Sequence, residues 1–304
     1  MADDTVIVFG STGAQGGVVA QRLAASGFNV RGLGRSKAAL SELREENIEA
    51  HRLSSFDQSA LAEALEGGSL AFVCVPITVG LGTETLMQIR LAICEALEQS
   101  SVKRIVWTTS WVVTEPGHRV SDSFDAVRRS VDQILELPQD VVVLKPAGYL
   151  DNLLTKVSCQ ALSDGILSYM LPPDLRYRWI SLADQAALTE RIFASESIES
   201  GEYAIGTLAS GVELARAAST GLDHAISYVA ISPQDFADQW RGEIGEAADR
   251  ISEDYLTISA NPVALGLDSD PYRITSDYSF EYEPLVDFFR RHVSEFTRAA
   301  SNGV

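Results

Sequence analysis

The stretch that decides the fold is TVIVFGSTGAQGGVVAQRLAASGFNVRGLGRS, Thr5–Ser36. Its β-branched start, Thr5–Phe9, predicts a strand, and the amphipathic segment from about Gly16 to Ala25 predicts a helix. The following runs FNVRGL and KAALSELREEN predict a second strand and a second helix. Strands that alternate with helices in this way are typical of a parallel sheet.

Three glycines stand between the first strand and the first helix, at Gly10, Gly13 and Gly16. Gly10 would allow the tight turn off the strand, Gly13 a close approach of the backbone to a pyrophosphate, and Gly16 close packing of the helix on the sheet. The free N–H groups and the positive dipole end of the helix would attract phosphate oxygens. An ordinary strand–turn–helix corner is the alternative, but the continuing strand–helix alternation favours a dinucleotide site.

The alternation of strands and helices continues to about Tyr149 and then becomes irregular. Near-continuous apolar runs such as AFVCV and VVVL indicate strands buried on both faces of the sheet. We therefore predict an α/β protein, with a Rossmann-type doubly wound parallel sheet in residues 1–153 and a smaller C-terminal α+β lobe, which binds substrate, in residues 154–304. Some segments of the lobe are expected to return to the Rossmann sheet.

The segments of the lobe are less regular than those before it. The stretch DGILSYMLPPDLRYRWISLADQAALTERIFASE reads as a short strand, a Pro-containing loop and a helix, and GEYAIG reads as a strand. Further helices are predicted in SPQDFADQWRGEIGEAADRIS, with Pro233 near its start, and in EPLVDFFRRHVSEFTRAA.

The end of the second strand indicates which dinucleotide is bound. NAD sites place Asp or Glu here to bind the ribose hydroxyls, whereas NADP sites offer a cation to the 2′-phosphate. The sequence VRGLGRS contains no acid, and Arg35 is the expected phosphate clamp because its planar guanidinium matches phosphate oxygens. Ser36 would add a hydroxyl, and Arg31 or Lys37 could assist. A solvated surface arginine is the alternative for Arg35.

Composition excludes several classes of partner. The formal net charge of −18 disfavours a broad nucleic-acid surface, because duplex affinity comes mainly from Lys and Arg that neutralise phosphates. No stretch approaches the ~18 consecutive apolar residues of a membrane helix, and the acidic start MADDTVIVFG does not resemble a secretory signal. We therefore expect a cytoplasmic protein with no nucleic-acid or membrane partner. The cysteines and histidines are dispersed, so no metal site is predicted.

With these residues the chain resembles the NmrA-like family of atypical short-chain dehydrogenases/reductases, and the resemblance covers most of its length. It is carried by VFGSTGAQGG, by GRS after the second strand, by FDQSALAEALEG after the third, by VKRIVWTTS and LKPAGYLDNL at the fifth and sixth, and by RWISLADQAALTERIF and ISPQDFADQW in the lobe. One departure is Ser54, which stands where many relatives have Asp after the third strand.

The resemblance implies NADP(H) bound by the Rossmann domain, with the substrate in a cleft between this domain and the lobe. Family members include reductases of quinones, triarylmethane dyes and plant phenylpropanoids, as well as redox-sensing regulators that bind the nucleotide without an established turnover. The residues expected to contact the cofactor are Gly10, Thr12, Gly13, Ala14, Gln15, Gly16, Arg35, Ser36, Phe56, Val75, Pro76, Thr109, Pro146, Tyr149 and Asn152.

The usual Tyr–Lys pair of short-chain reductases is missing, since none of the nine tyrosines has Lys four residues later. By the family pattern, Ser123 stands at the Tyr position and Val127 at the Lys position, while Arg128 is about 100° away around the helix. An ordinary ketone becomes an alkoxide on reduction and needs a positioned acid. A quinone gives a stabilised phenolate and a triarylmethyl cation a neutral product, so conjugated acceptors fit this chain better.

Candidate catalytic residues are Ser110, His118 and Tyr149. Ser110 ends the fifth strand, where ligands of open α/β sheets bind, although a capping serine is the alternative. His118 is the imidazole nearest the expected cleft, with an exposed loop histidine as the alternative. Tyr149 faces the cleft in the family pattern or fills the seam between the two parts. Trp179 either lines the far wall of the cleft or belongs to the core.

We predict an NADPH-dependent oxidoreductase that transfers hydride to a quinone-like or other conjugated acceptor, with a small conjugated or aromatic molecule as substrate. Two alternatives stay open: an NADP(H)-sensing regulatory protein without turnover, and a specialised-metabolite reductase or isomerase. The sequence leaves undecided the acceptor, the direction of hydride transfer, a homodimer or protein partner, and whether the loop 112–123 is a lid.

Overall fold

The computed structural model describes residues 4–45, 47–75 and 82–296. Pro76, which was predicted to contact the cofactor, lies outside the described residues.

Strands in the described part of the chain form three sheets. In chain order they are β1 (Thr5–Phe9), β2 (Asn29–Gly34), β3 (Glu49–Arg52), β4 (Leu70–Cys74), β5 (Arg104–Thr108), β6 (Asp140–Lys145), β7 (Gly148–Tyr149), β8 (Ile166–Tyr169), β9 (Tyr177–Ile180), β10 (Gly201–Ala204), β11 (Thr207–Ala209) and β12 (Ser227–Ala230). The main sheet has seven parallel strands in the order β10-β6-β5-β4-β1-β2-β3. This confirms the predicted α/β fold with a doubly wound parallel sheet.

Helices cover both faces of the main sheet and most of the lobe. They are α1 (Ala14–Ala25), α2 (Lys37–Glu45), α3 (Gln58–Leu65), α4 (Thr83–Glu98), α5 (Asp122–Leu135), α6 (Lys156–Ser163), α7 (Leu182–Ala194), α8 (Gly211–Leu222), α9 (Pro233–Ile244), α10 (Ala247–Ala260), α11 (Arg273–Asp277) and α12 (Leu285–Arg291), with a 3-10 helix over Leu150–Leu154. No described helix is both long and apolar enough to cross a lipid bilayer.

Alternate residues of each central strand belong to different cores. Val6 and Val8 of β1 pack with residues of α1, α2 and α7 on one face of the sheet. Ile7 and Phe9 of the same strand pack with α3, α4 and α5 on the other face. The strand order reverses between β1 and β4, so the carboxyl ends of these strands open a crevice where ligands of such sheets bind.

The remaining elements form a third core, the lobe core, with the strand pair β8–β12 and the three-stranded sheet β11-β9-β7. The chain also returns to the main sheet, because β10 pairs with β6 and α7 packs in the same core as α1. The boundary predicted between residues 153 and 154 stays a prediction.

Two parts of the lobe differ from the sequence expectation. Residues 177–180, which were expected in a loop and helix, form the fully buried strand β9, with Tyr177 and Trp179 in the lobe core and Ile180 in the main-sheet core that contains α1 and α7. The segment starting at Pro233 is two helices rather than one, since Gly245 adopts φ +62° and ends α9 before α10 begins. Ser232 caps α9 in a capping box with Asp235.

Candidate functional site

The turn between β1 and α1 depends on two glycines. Gly10 has φ +72°, in the left-handed region that side chains disfavour, and its carbonyl accepts from the N–H of Gly13 at 2.9 Å. A Cβ on Gly16 would lie 2.4 Å from that carbonyl oxygen, so only glycine lets α1 pack this closely on the turn. Gly13 caps α1, leaving the first N–H groups of the helix for a ligand. A pyrophosphate beside Gly13 stays a prediction.

A cleft of about 440 Å³ opens beside this turn, and we call it the glycine cleft. Its volume is within the range of small-molecule sites. Nine of the residues expected to contact a cofactor line it: Gly10, Thr12, Gly13, Ala14, Gln15, Gly16, Arg35, Phe56 and Val75. The apolar part of its wall, which the sequence analysis did not foresee, includes Leu33, Leu53, Leu86, Ile89 and Ile93.

Arg35 is the cation available at the glycine cleft. It is exposed, lines the cleft and makes no hydrogen bond or ion pair with the residues that the structure describes. Arg31 lies four residues earlier, on β2. Its guanidinium is instead bound to Glu49 Oε1 at 2.8 Å and to the carbonyl of Glu66 at 2.6 Å. Arg35 could therefore hold a phosphate, whereas Arg31 supports the edge of the sheet.

A second cleft, of about 260 Å³, lies between the main sheet and the α9–α10 pair. We call it the aromatic cleft, because its wall contains Trp111, Tyr149, Tyr169, Phe236, Trp240 and Tyr255. Its polar lining is Gln15, Ser110, Asn152, Arg250 and Asp254. Flat aromatic walls of this kind suit a planar conjugated ligand, which can stack on them.

Gln15 lines both clefts and is the polar link between them. Its side-chain oxygen Oε1 accepts from Ser110 Oγ at 3.0 Å and from Tyr149 Oη at 3.0 Å. The thiol of Cys74 points at the same oxygen from 3.5 Å. Residues from the ends of β4, β5 and β7 are thereby held against the first turn of α1, at the switch point of the sheet.

Ser110 sits in strained backbone at the end of β5. Its φ of +62° is in the left-handed region, which costs about 1 kcal/mol or more for a residue with a side chain. The residue is 7% exposed, and its N–H donates to Thr108 Oγ1 at 3.2 Å. This conformation directs its hydroxyl to Gln15 rather than along the strand, and it gives no signal in the sequence.

Tyr149 is held at the boundary of the aromatic cleft. Its hydroxyl lies 3.0 Å from Gln15 Oε1 and 2.7 Å from Oε1 of Gln185, which is fully buried on α7. Burial raises the pKa of Tyr149 well above its ordinary value. The phenol therefore keeps its proton at neutral pH and acts as a hydrogen-bond donor.

A third, smaller cavity of about 50 Å³ adjoins both clefts, and we call it the Arg90 cavity. It shares Leu86 with the glycine cleft, and Trp111 and Asp254 with the aromatic cleft. Ser123 and Val127, the positions assigned to the missing Tyr and Lys, also line it. The remaining wall is formed by Thr83, Arg90, Val112 and Phe124.

Asp254 and Arg90 are functional candidates that the sequence analysis did not identify. Burial raises the pKa of Asp254 to about 6, although Arg250 opposes the shift. Each residue occupies an unremarkable polar position in an amphipathic helix, α10 and α4 respectively. Only the tertiary packing of these helices brings them to one cavity.

Several predicted site residues lie elsewhere in the described structure. Asn152 and Tyr149 line the aromatic cleft rather than the glycine cleft. Thr109 is buried, with its hydroxyl donating to the carbonyl of Trp111 at 2.7 Å, and Ser36 begins α2 by accepting from the N–H of Ala39 at 3.4 Å. The residues that line none of the three described cavities are Ser36, Thr109, His118 and Pro146.

The structure also gives the positions of two further candidates, His118 and Trp179. His118 is exposed on its loop, and its backbone N–H donates to the carbonyl of Glu115 at 3.1 Å. Trp179 is 1% exposed and packs edge-on against Tyr169 and Tyr177, so it belongs to the core of the lobe.

A buried ion network fixes the loop after β5. Lys145 Nζ lies 2.9 Å from Glu115 and 3.3 Å from Glu202, and Arg128 binds Glu202 at 2.7 Å. The N–H of Glu115 also donates to the carbonyl of Ala264 at 2.8 Å. Arg128 is therefore part of this structural network, and the middle of the loop is tied to β6 and to the segment after α10.

Comparison with known proteins gives one family and one fold. The model of the NmrA-like family matches residues 2–260. The chain is similar to the triphenylmethane reductase of Citrobacter sp., with a TM-score of 0.77, 15% identity and coverage of 96% of this chain and 99% of that one.

Two further solved structures share the fold. The NADPH-dependent quinone oxidoreductase of Escherichia coli, complexed with NADPH, has a TM-score of 0.74 and 19% identity over 94% of this chain and 99% of that one. NmrA, a negative transcriptional regulator, has a TM-score of 0.67 and 18% identity over 99% of this chain and 98% of that one.

Proposed function

The chain belongs to the NmrA-like family, and on this basis we propose that it is an NADPH-dependent oxidoreductase that transfers hydride to a quinone-like or other conjugated acceptor. The observation that carries the proposal is the meeting of the glycine cleft and the aromatic cleft at Gln15. A dinucleotide in the first cleft and a planar acceptor in the second would have their reactive ends on either side of this residue.

The glycine cleft fits NADP(H). Gly10 and Gly16 leave room for the turn, and the N-terminus of α1 offers unpaired N–H groups to phosphates. Arg35 would bind the 2′-phosphate, since it is exposed beside the cleft and has no partner among the described residues. The solved relatives from Citrobacter sp. and Escherichia coli are described as complexed with NADP(H) and NADPH, which supports the same cofactor here.

The aromatic cleft would hold and orient the acceptor. NADPH supplies a hydride from its nicotinamide ring when bound. Trp111, Phe236 and Trp240 give a planar ligand apolar faces to stack on, and they exclude water from its ring. Ser110 and Tyr149 hold their hydroxyls toward Gln15 and keep the junction of the two clefts in one geometry.

The acceptor class follows from the chemistry of the cleft wall. The Tyr149 hydroxyl is hydrogen-bonded to Gln15 and Gln185, and burial raises its pKa and makes it a weaker acid, while Ser123 and Val127 cannot replace a Tyr–Lys pair. Reduction of a simple ketone would then form an alkoxide without a positioned acid to protonate it, whereas a quinone forms a delocalised phenolate. Conjugated acceptors are therefore the proposed substrates.

A steady-state panel tests the proposal. NADPH oxidation is followed with quinones, triarylmethane dyes, enones and plain ketones, in each case with NADH as the matched donor. The proposal expects turnover with quinones or dyes, no turnover with plain ketones, and a preference for NADPH. Turnover confined to plain ketones would contradict it.

An NADP(H)-sensing protein is the second candidate. It is favoured because Ser123 and Val127 stand at the positions assigned to the Tyr–Lys pair, and because the chain shares its fold with the regulator NmrA. It predicts tight NADPH binding with no oxidation by any acceptor of the panel. The two functions are therefore separated by comparing calorimetric binding of NADPH with its oxidation under the same conditions.

A further inference from the structure

The Arg90 cavity contains a buried cation without a counter-charge. Arg90 lies in the middle of α4 and is only 4% exposed. Its guanidinium makes no hydrogen bond and no ion pair with any residue in the described ranges. A buried charge is normally paired, because an unpaired one loses its hydration without compensation.

The described residues do not neutralise Arg90, since Asp254 lines the same cavity but makes no ion pair with it. The ionisable groups that influence it are the thiols of Cys74 and Cys94. Burial raises the pKa of Cys74 to about 11 and that of Cys94 to about 12, so both are neutral thiols near pH 7. Burial also lowers the pKa of Arg90 itself, but an arginine remains charged at neutral pH.

A second donor without a partner belongs to Trp111, which lines both the Arg90 cavity and the aromatic cleft. The indole Nε1 of Trp111 is buried and has no hydrogen-bond partner among the described residues. An indole N–H and a guanidinium can only donate. The carboxyl of Asp254 lies in the same cavity wall but bonds to neither donor, so both are available to a ligand that brings acceptor oxygens.

The size and place of the cavity limit that ligand. At about 50 Å³ it accommodates a few atoms, such as a carboxylate, and no complete ring. It borders the aromatic cleft, with Trp111 and Asp254 in the wall of both, and it borders the glycine cleft at Leu86. A group in the cavity would thus be attached to a ring in the aromatic cleft.

We propose that the Arg90 cavity binds a carboxylate carried by the conjugated acceptor, so that the natural substrates are aromatic or quinone-like acids. The guanidinium of Arg90 pairs with the carboxylate oxygens, and Trp111 Nε1 donates to one of them. Asp254 also faces the cavity and repels the carboxylate when ionised, which confines the anion to the Arg90 side. Arg250 lines only the aromatic cleft. This inference deepens the proposed function, because it names the class of acceptor for the same cleft.

Binding of an unreactive probe tests the inference without turnover. Calorimetric titration of the full chain, saturated with NADP⁺, compares 2-naphthoate with 2-naphthamide, which has the same ring and no charge. Wild type is expected to bind the naphthoate about ten-fold more tightly. Arg90→Met removes this preference, whereas Arg250→Met, the matched control in the aromatic cleft, keeps it.

The stability of the variant gives an independent readout. Because Arg90→Met replaces an unpaired buried charge by an apolar side chain of similar length, its Tm is expected to equal or exceed that of wild type. A lower Tm would mean that Arg90 has a structural partner and would count against the inference. If the variant does not fold, the wild-type comparison of the two probes decides alone.

Two outcomes overturn the inference: equal affinity of wild type for naphthoate and naphthamide, or a preference lost in Arg250→Met and kept in Arg90→Met. Failure of the proposed function looks different. In that case naphthoate still binds through Arg90 while NADPH is not oxidised by any conjugated acceptor.

Discussion

The side-chain oxygen of Gln15 lies 3.0 Å from the hydroxyl oxygen of Tyr149. One residue belongs to the first turn of α1 and the other to β7, so this hydrogen bond connects the wall of the glycine cleft with the wall of the aromatic cleft. Ser110 donates to the same oxygen from the end of β5. Replacing Gln15 should therefore affect both the stability of the junction and the alignment of the two proposed ligands.

Gln15→Leu is expected to lower the free energy of unfolding by about 1–3 kcal/mol, because it leaves the buried hydroxyl of Ser110 without its acceptor, whereas Tyr149 keeps Gln185 Oε1 at 2.7 Å. It should also lower kcat for quinone reduction more than it raises KM for NADPH. Urea unfolding and steady-state kinetics measure the two effects. Gln58→Leu, on the exposed side of α3, is the control and should change neither.

Ser110→Gly and Ser110→Ala separate backbone strain from hydrogen bonding. Both variants lose the hydroxyl that binds Gln15, but only glycine relieves the φ of +62°. The glycine variant is expected to be more stable than the alanine variant by about 1 kcal/mol. Denaturant unfolding of the pair tests this, and an alanine variant as stable as the glycine variant would show that the backbone stores no strain there.

Arg35→Ala should raise KM for NADPH about ten-fold or more and leave that for NADH nearly unchanged, because it removes only the cation proposed for the 2′-phosphate. Its unfolding free energy should match wild type, since Arg35 is exposed and unpaired within the described chain. Arg31→Ala is the matched control. It breaks the bonds to Glu49 and Glu66, so it should lower stability without changing the NADPH to NADH ratio. Equal effects of both variants on that ratio would argue against the assignment.

Much of the main sheet was predictable from sequence, because its strands are apolar runs separated by amphipathic helices. The strand predicted at Thr5–Phe9 has those bounds in the structure, and LAFVC and VVVL form β4 and β6 with their apolar side chains buried. Gly10 and Gly16 were also assigned their turn and packing roles from spacing alone. These features depend on local periodicity and backbone sterics.

The parts that sequence did not predict depend on tertiary contacts. β9 was missed because YRWI is short and contains Arg178, whose burial only the surrounding lobe makes acceptable. The positive φ of Ser110 has no local signal, and Arg90 and Asp254 look like ordinary polar residues of amphipathic helices. Their importance comes from the cavity that they share, which no single segment defines.

Glu115→Gln should lower stability at pH 7 but not in acid. Burial raises the pKa of Glu115, but the ion pair with Lys145 and the hydrogen bonds from Lys145 and Ser269 outweigh burial and bring it below its usual value. A carboxyl whose folded pKa is depressed stabilises the protein above its unfolded pKa, and this contribution disappears as pH falls through the folded pKa. The difference from wild type should be about 1–3 kcal/mol at pH 7 and shrink below the ordinary Glu value of 4.5.

Unfolding of both proteins in urea from neutral pH to pH values below that of an ordinary Glu measures this dependence. A difference that stays constant across the range would show that the ionised form of Glu115 contributes nothing. Glu63→Gln, on α3, is an exposed control and should give no difference at any pH.

Asp254 should make carboxylate binding pH-dependent. Because burial raises its pKa to about 6, it is mostly neutral below that pH and ionised above it. The affinity for 2-naphthoate, which stays ionised because such carboxyls titrate at roughly 4, should therefore be about three-fold higher one pH unit below 6 than well above it. Asp254→Asn should bind with the higher affinity throughout. A pH dependence that persists in this variant would assign it to another group.

The central claim is that the chain passes a hydride from NADPH to a conjugated acceptor across the junction at Gln15. The most direct measurement uses NADPH deuterated at both C4 positions and a triarylmethyl dye cation, whose reduced form keeps the transferred atom on carbon. The account predicts that the reduced dye, examined by mass spectrometry, carries one deuterium, and that Gln15→Leu forms it more slowly. Reduced dye without deuterium, or NADPH that binds tightly and is never consumed, would contradict the account.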